Sequence, residues 1–145
     1  MLENDAYNTY QNATGASFDN NTNLLTISST RFNQLQELCF VVSDVIMRRS
    51  LAVWNIFIFF FDQVPLVLSA NAQIWPRSIN AVIGGVSGKI YLVVGKLASV
   101  NGPGDFNVGD FIVGIVFLER FYSVFDTGNR RVGFANTAFT NATSN

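Results

Sequence analysis

The chain has 145 residues, enough for one domain with a modest hydrophobic core. Hydrophobic residues make up 49% of it, charged residues only 13%, and the net charge is -1, which excludes a basic surface for nucleic acid and an acidic tail. The chain has no histidine, so it cannot use Ser-His-Asp or Cys-His catalysis or build the usual zinc sites. It has a single cysteine, Cys39, so it cannot form an internal disulfide. We expect no metal and no cofactor.

The beginning of the chain predicts a short helix and then a strand. In residues 5–14, alanines and tyrosines recur at near-helical spacing, and Gly15 follows as a C-cap. A polar turn at 19–23 separates this helix from residues 24–27, which are mostly apolar and predict a short strand.

A second helical turn and a buried strand are expected next. Thr30 is expected to cap a single helical turn over residues 32–35. Residues 38–42 form an apolar run of the kind that is typical of a buried strand. We expect Cys39, within this run, to be a small buried hydrophobic side chain and not a nucleophile.

Residues 45–63 form an atypical apolar insertion. Its apolar centre, residues 51–61, has about half of the roughly 20 residues that a membrane-spanning helix needs, and Asp62 interrupts it. One interpretation is a membrane segment with Arg48 and Arg49 as its cytoplasmic flank. We favour a buried strand or an insertion that is out of place, and we therefore expect no membrane partner. If it were exposed, a run of this composition would promote aggregation.

The second half of the chain predicts further short strands. Residues 84–88 form a Gly-rich turn before a strand at 89–95, whereas the phosphate-binding G-x-G-x-x-G pattern opens a helix. A loop is expected at 101–105. Residues 121–126 and 131–135 are joined by a Gly-Asn turn and predict a β-hairpin. Short strands separated by turns indicate a mainly β domain.

The sequence contains N-glycosylation sequons at Asn12, Asn20 and Asn141. They favour a secreted protein, although the N-terminus has neither the basic start nor the apolar stretch of a signal peptide. The alternative is that loops rich in asparagine and threonine form sequons by chance.

Several regions of the chain resemble the pepsin-like aspartic proteases. Residues 117–126, followed by Val132-Gly133-Phe134-Ala135, resemble the closing motif of that family, in which a short apolar helix leads to two aromatic residues, a strand that ends in Asp, and a turn. Residues 71–77 and the tail 139–143 are similar to the fungal polyporopepsin branch of the family, and residues 7–40 follow the spacing of that branch.

The resemblance covers most of the chain, with the exception of residues 45–63. It implies a mainly β fold, an incomplete C-terminal lobe of the pepsin-like double-psi β-barrel (acid protease) fold with short helices. Residues 1–145 would then form a partial peptidase domain of a secreted protein. Removal of residues 45–63 would restore a continuous β-hairpin of the family, as an unspliced intron would predict; a spliced transcript that keeps these codons would contradict this hypothesis.

The resemblance also implies an activity that this chain does not hold alone. The family hydrolyses peptide bonds with two carboxylates that share a proton around one water, because two like charges about 3 Å apart cannot both ionise. Each lobe supplies one of them. The chain is therefore expected to be a fragment that lacks both catalytic aspartates, is inactive alone, and meets a polypeptide substrate only within a two-lobed enzyme.

Asp126-Thr127-Gly128 spells the catalytic triplet of the family but is not expected to be catalytic. In the family the triplet continues with Ser or Thr, whereas Asn129 follows here. Its position in the closing motif matches a non-catalytic hairpin turn. We predict that Asp126 is a structural turn residue.

Substrate-binding residues are implied for one segment only. By position, Gln73, Ile74 and Trp75 match the strand that approaches the substrate on the leaving-group side; the alternative is that Ile74 and Trp75 belong to the core. A different function remains open, that of a non-catalytic, membrane-associated or binding protein that depends on residues 51–61.

Overall fold

The computed structural model describes residues 1–40, 66–97, 111–129 and 131–143, in which short helices and strands alternate. In chain order these are α1 (Asn4–Thr14), β1 (Ser17–Asp19), β2 (Leu24–Ile27), α2 (Ser29–Phe32), β3 (Leu38–Phe40), β4 (Leu66–Leu68), two 3-10 helices (Ala70–Gln73 and Arg77–Ile83), β5 (Ile90–Leu92), α3 (Ile115–Leu118), β6 (Phe121–Asp126) and β7 (Arg131–Asn136). This arrangement agrees with the predicted mainly β fold with short helices.

Several predictions of the sequence analysis concern residues that are not described. The apolar insertion at 45–63, with its centre at 51–61, and the loop at 101–105 all lie outside the described residues. In the segments that are described, no helix is both long enough and apolar enough to cross a membrane.

Helix α1 forms where the spacing of alanine and tyrosine predicts it, and local hydrogen bonds close both of its ends. The Glu3 side chain accepts a hydrogen bond from the Asp5 N–H at 2.9 Å and so satisfies one of the N–H groups that a helix start leaves open. Gly15 ends the helix with a φ of 64°, a left-handed conformation that glycine adopts without steric cost. Tyr7 and Tyr10 are the buried residues on the inner face of α1. The predicted helix and its C-cap are confirmed.

Helix α2 begins earlier than predicted. The side chain of Ser28 accepts a hydrogen bond from the Arg31 N–H at 3.2 Å, so Ser28 is the N-cap and the prediction that Thr30 caps this turn is wrong. The physical reason is the backbone: Ser28 has the extended conformation that an N-cap requires, whereas Thr30 already lies inside the helix.

The first hydrophobic core packs around a three-stranded antiparallel sheet in the order β1-β2-β5. Leu25 and Ile27 of β2 both point into this core, as the period of two in a strand requires, and lie opposite two buried residues of β5. The strand predicted at 89–95 is shorter in the structure because the Val93 N–H donates to the Gln73 carbonyl at 2.9 Å, outside this sheet.

Strand β3 pairs with β4 and contributes to two cores. Leu38 and Phe40 pack against both clusters of buried apolar side chains, whereas Cys39 between them is exposed. The prediction that Cys39 is buried is wrong. Side chains alternate between the two faces of a strand, and its two neighbours already take the inner face.

The second core surrounds Phe117 of α3. Its ring lies 4.6 Å from the ring of Phe121 in β6 and 5.3 Å from that of Phe134 in β7, measured between centroids. Aromatic pairs of this kind add about 0.5–1.5 kcal/mol beyond the burial of their area. They attach the β6–β7 hairpin, whose register runs from Phe121 opposite Asn136 to Asp126 opposite Arg131. The predicted hairpin is confirmed.

The Gly-rich turn at 84–88 packs closely against β5. The hydroxyl of Tyr91 accepts a hydrogen bond from the Val86 N–H at 2.9 Å, and Asn80 Nδ2 donates to the Val86 carbonyl at 2.9 Å. A Cβ atom at Gly85 would lie 2.7 Å from Cε2 of Tyr91 and 3.0 Å from the Asn80 carbonyl oxygen. No L side chain therefore fits at Gly85 without movement of its neighbours.

Substitution of Gly85 by alanine should destabilise the chain. Tyr91 is fully buried and cannot move aside, so we expect Gly85→Ala to lower the free energy of unfolding by about 1–3 kcal/mol, the usual cost of overpacking. Urea unfolding followed by circular dichroism measures this. Gly133→Ala is the matched control, because a Cβ there meets nothing within 4 Å. Equal stability of the two variants would contradict the close packing at Gly85.

The turn after β1 is held by the carboxylate of Asp19. It accepts hydrogen bonds from the Lys89 ammonium at 3.2 Å and from the N–H groups of Asn21 at 3.0 Å and Thr22 at 3.3 Å. Burial raises the pKa of Asp19, but these hydrogen bonds and the charge of Lys89 together outweigh burial, so the pKa lies below its ordinary value.

The stabilisation from Asp19 should therefore depend on pH. Because the folded pKa is lowered, the contribution is complete above the ordinary aspartate pKa of about 4 and is lost as the pH falls through the folded value. We expect Asp19→Asn to lower Tm at neutral pH and the deficit to shrink in acid. Thermal unfolding across this range measures it, with the exposed Glu37→Gln as control. A deficit that stays constant from neutral to acid pH would argue against an electrostatic role.

Candidate functional site

Gln73, the first of the predicted substrate-binding residues, lies at the centre of a buried polar cluster. Its side chain is fully buried. Its Oε1 accepts a hydrogen bond from the Tyr10 hydroxyl at 3.0 Å, and its Nε2 donates to the carbonyls of Gln36 at 2.9 Å, Leu68 at 3.2 Å and Ser69 at 3.3 Å. One amide therefore ties α1 to the segment before β3 and to the end of β4.

Tyr10 is a donor in this cluster. Burial raises the pKa of Tyr10 above its ordinary value, which favours the protonated phenol. The Tyr10–Gln73 hydrogen bond therefore joins two neutral groups.

A cavity of about 180 Å³ opens beside Tyr10 and Gln73. Its wall comes from α1, α2 and the segment that leads into β3, and the lining residues are Tyr10, Ala13, Thr14, Arg31, Gln34, Leu35, Gln36, Glu37, Leu38 and Gln73. Glu37 is the one carboxylate among them. Hydrolysis by a pair of carboxylates therefore cannot take place in this cavity from its lining residues alone.

The other two predicted substrate-binding residues follow Gln73 in an extended segment beside β5. Ile74 is only 3% exposed, belongs to the first core and pairs with Leu92. Trp75 is half-buried; its N–H donates to the Tyr91 carbonyl at 2.8 Å and its Nε1 donates to the Ile79 carbonyl at 3.2 Å. Of the three residues, Trp75 alone keeps exposed surface, and their contact with substrate stays a prediction.

Asp126 lies at the end of β6, in the turn of the hairpin. Its Oδ1 accepts a hydrogen bond from the Asn129 N–H at 3.1 Å, and its Oδ2 accepts one from Asn129 Nδ2 at 2.8 Å. An aspartate that binds the backbone a few residues ahead is a common way of closing a turn. Asp126 occupies the turn position proposed from the sequence, and its exclusion from catalysis stays a prediction.

Arg120 is a buried charge that the sequence analysis did not single out. It is 6% exposed, and its Nη1 donates to the carbonyls of Phe139 at 2.9 Å and Ala142 at 2.8 Å. Its own carbonyl accepts a hydrogen bond from the Thr137 hydroxyl at 3.1 Å. Arg120 thereby fastens the tail to the start of β6. A charged residue directly between an apolar helix and an aromatic strand is the sequence signal that could have indicated it.

The three sequon asparagines are exposed but differ in backbone structure. Asn12 lies in the last turn of α1, Asn20 in the turn between β1 and β2, and Asn141 in the turn that follows β7. Within the described parts of the chain, no three His, Cys, Asp or Glu side chains cluster as the ligands of a metal ion would.

Comparison with known proteins gives relatives of one kind. No model of a protein family matches the chain. Polyporopepsin from Irpex lacteus is 43% identical over 145 residues, which is 100% of this chain and 36% of the relative. The crystal structure of the aspartic proteinase from Irpex lacteus matches with a TM-score of 0.78 and 43% identity, and covers 100% of this chain and 36% of that one. Gastricsin from Cavia porcellus is 42% identical over 66 residues, which is 44% of this chain and 16% of the relative.

Identity along the whole chain, together with the shared fold, shows that the chain is similar to the pepsin-like aspartic proteases. It spans 36% of the length of polyporopepsin. The predicted resemblance and the predicted partial pepsin-like lobe are confirmed. The alternative of a membrane-associated protein receives no support from these comparisons.

Loss of the Gln73 amide should be costly. Gln73→Leu leaves the buried Tyr10 hydroxyl and the buried Leu68 carbonyl without this partner, and each unpaired buried group costs about 1–3 kcal/mol. We expect the free energy of unfolding to fall by about 2–5 kcal/mol in urea titrations. Gln34→Leu is the matched control, because Gln34 is exposed. A loss below that of the control would mean that the cluster does not hold the fold.

Proposed function

We propose that the chain is part of an aspartic-type endopeptidase, the C-terminal lobe of its peptidase domain, and that it does not cut peptide bonds by itself. The observation that carries this proposal is the match of the whole chain to 36% of polyporopepsin. Residues 1–145 would form a partial peptidase domain that includes the atypical insertion at 45–63.

The chemistry of the proposed whole enzyme requires more than this chain offers. Hydrolysis by an aspartic dyad activates one water between two carboxylates that share a proton. Among the described residues, Asp126 is the carboxylate that carries the family triplet, and both of its oxygens accept hydrogen bonds from Asn129. This engagement supports the proposal that Asp126 closes the hairpin and takes no part in catalysis.

In the whole enzyme, this part of the lobe would contribute to the wall of the substrate cleft. The exposed surface of Trp75 supports a contact with a polypeptide substrate. Gln73 and Ile74 are buried, and we propose that they act by holding the backbone of Trp75 against β5. The fungal relative and the exposed sequons support secretion of the whole protein.

The isolated chain should therefore show no proteolysis. The purified chain is incubated at acid pH with acid-denatured haemoglobin, and released peptides are measured, with polyporopepsin from Irpex lacteus as the positive control. We expect release no higher than in buffer alone, because a single partial lobe cannot assemble a dyad.

The variant Asp126→Asn tests whether any release of peptides that is observed depends on Asp126. The asparagine oxygen can still accept the hydrogen bond from the Asn129 N–H, so the turn should survive. If the wild-type chain did release peptides and Asp126→Asn abolished the release, Asp126 would be catalytic, as in a dimer that pairs two copies of it. Release that persists in the variant would place a catalytic group elsewhere and would contradict the proposed inactivity.

A further inference from the structure

The three sequons do not offer the same chemistry to an enzyme that attaches sugar. Such an enzyme must recognise the asparagine carboxamide together with the hydroxyl two residues later. In an α-helix, residues two positions apart do not face each other. A helical sequon therefore presents its two groups on different sides, whereas a turn or an extended segment can present both on one side.

Asn12 belongs to a helical sequon. Its carbonyl accepts a hydrogen bond from the Gly15 N–H at 3.2 Å, and the Thr14 hydroxyl donates back into the helix, to the Tyr10 carbonyl at 2.8 Å. The groups that close α1, the Glu3 side chain and Gly15, lie at its own ends. Both ends of the helix are thus held by contacts near in sequence, and the formed helix keeps the Asn12 carboxamide and the Thr14 hydroxyl on different sides.

Asn20 lies in an exposed turn that does not depend on its own side chain. The turn is held by the neighbouring Asp19 carboxylate, which binds the N–H groups of Asn21 and Thr22. The Thr22 hydroxyl accepts a hydrogen bond from the Leu24 N–H at 3.3 Å, and as an acceptor it keeps its hydrogen for another partner. Asn20 is therefore exposed, and Thr22, although half-buried, keeps its hydroxyl hydrogen available to a partner.

Asn141 lies in a turn whose backbone is anchored from the inside. Arg120 Nη1 binds the carbonyls of Phe139 and Ala142, on either side of Asn141. The anchor leaves the side chains of Asn141 and Thr143 exposed. A bulky group at Asn141 would therefore extend into solvent without breaking the contacts of Arg120.

We infer that Asn20 and Asn141 accept an N-linked oligosaccharide and that Asn12 does not. The donor is an oligosaccharide linked through a diphosphate to a lipid, supplied with its transferase by the secretory pathway. A bond forms between Nδ2 of the asparagine and the first sugar carbon, the bond from that carbon to the diphosphate breaks, the amide loses one proton, and the lipid diphosphate leaves. No oxidant or reductant takes part.

The test is expression of the full chain in a yeast host behind an added signal peptide. Glycopeptide mass spectrometry, before and after removal of N-glycans by an amidase, gives the occupancy of each site. We expect high occupancy at Asn20 and Asn141, loss of one glycan in each of Asn20→Gln and Asn141→Gln, and no change in Asn12→Gln. Absence of glycan at Asn20 or Asn141 would overturn the inference, and so would occupancy at Asn12 equal to theirs.

A second pair of variants tests the reason for the difference. Thr9 is exposed in the middle of α1, and Thr9→Pro removes a helix hydrogen bond and breaks the helix, whereas Thr9→Ala keeps it. We expect a new glycan at Asn12 in Thr9→Pro and none in Thr9→Ala. A glycan at Asn12 in neither variant would overturn the role of the helix. Because the signal peptide is added, the result does not depend on the proposed proteolytic or secreted function.

Discussion

The buried amide of Gln73 is the interaction on which the arrangement of the described chain depends. Burial of an amide is unfavourable unless its donors and acceptor find partners, and here they do so in segments far apart in sequence. Tyr10 is 63 residues away along the chain and Gln36 is 37 residues away. One side chain therefore connects α1 and the approach to β3 to the same segment. The carbonyl of the same residue receives the Val93 N–H and so fixes where β5 ends.

Strand β3 connects the first core to the second. Leu38 and Phe40 pack against both clusters, and Phe40 contacts Phe111 at a centroid distance of 5.1 Å and Phe117 at 5.9 Å. Phe117 in turn holds the β6–β7 hairpin. A two-stranded ribbon alone is marginally stable in water, so the hairpin depends on this aromatic chain for its attachment. The hydrogen bonds of Gln73 and the aromatic contacts of Phe40 thus together hold the described elements in place.

The elements that could be predicted from the sequence are those whose signals are local. Helix α1 with Gly15, strand β2 and the β6–β7 hairpin each have their spacing, cap or turn residues within a short segment, and each is found in the structure. Burial was harder to predict, because it depends on which face of a strand meets a distant partner. That is why Cys39, in an apolar run, proved to be exposed.

The same distinction applies to the candidate site. The turn at Asp126 could be predicted because Asn129, its partner, is only three residues away. The cluster around Gln73 could not, because a glutamine in a sequence suggests a surface and its partners come from three separate segments. Arg120 was missed for a similar reason, since the carbonyls that satisfy it lie about twenty residues further along the chain.

The residues around Asp126 show how a triplet with the letters of the family's catalytic site can close a turn. A dyad works because two carboxylates are held so close that they must share a proton, which requires a frame that brings two chain segments together. Here a single segment folds back on itself, and both carboxylate oxygens accept hydrogen bonds, from the backbone and the side chain of Asn129. The donors to both oxygens come from the same short loop, as is common in a turn. In the described part of the chain, the role that the structure shows for Asp126 is to close the β6–β7 turn.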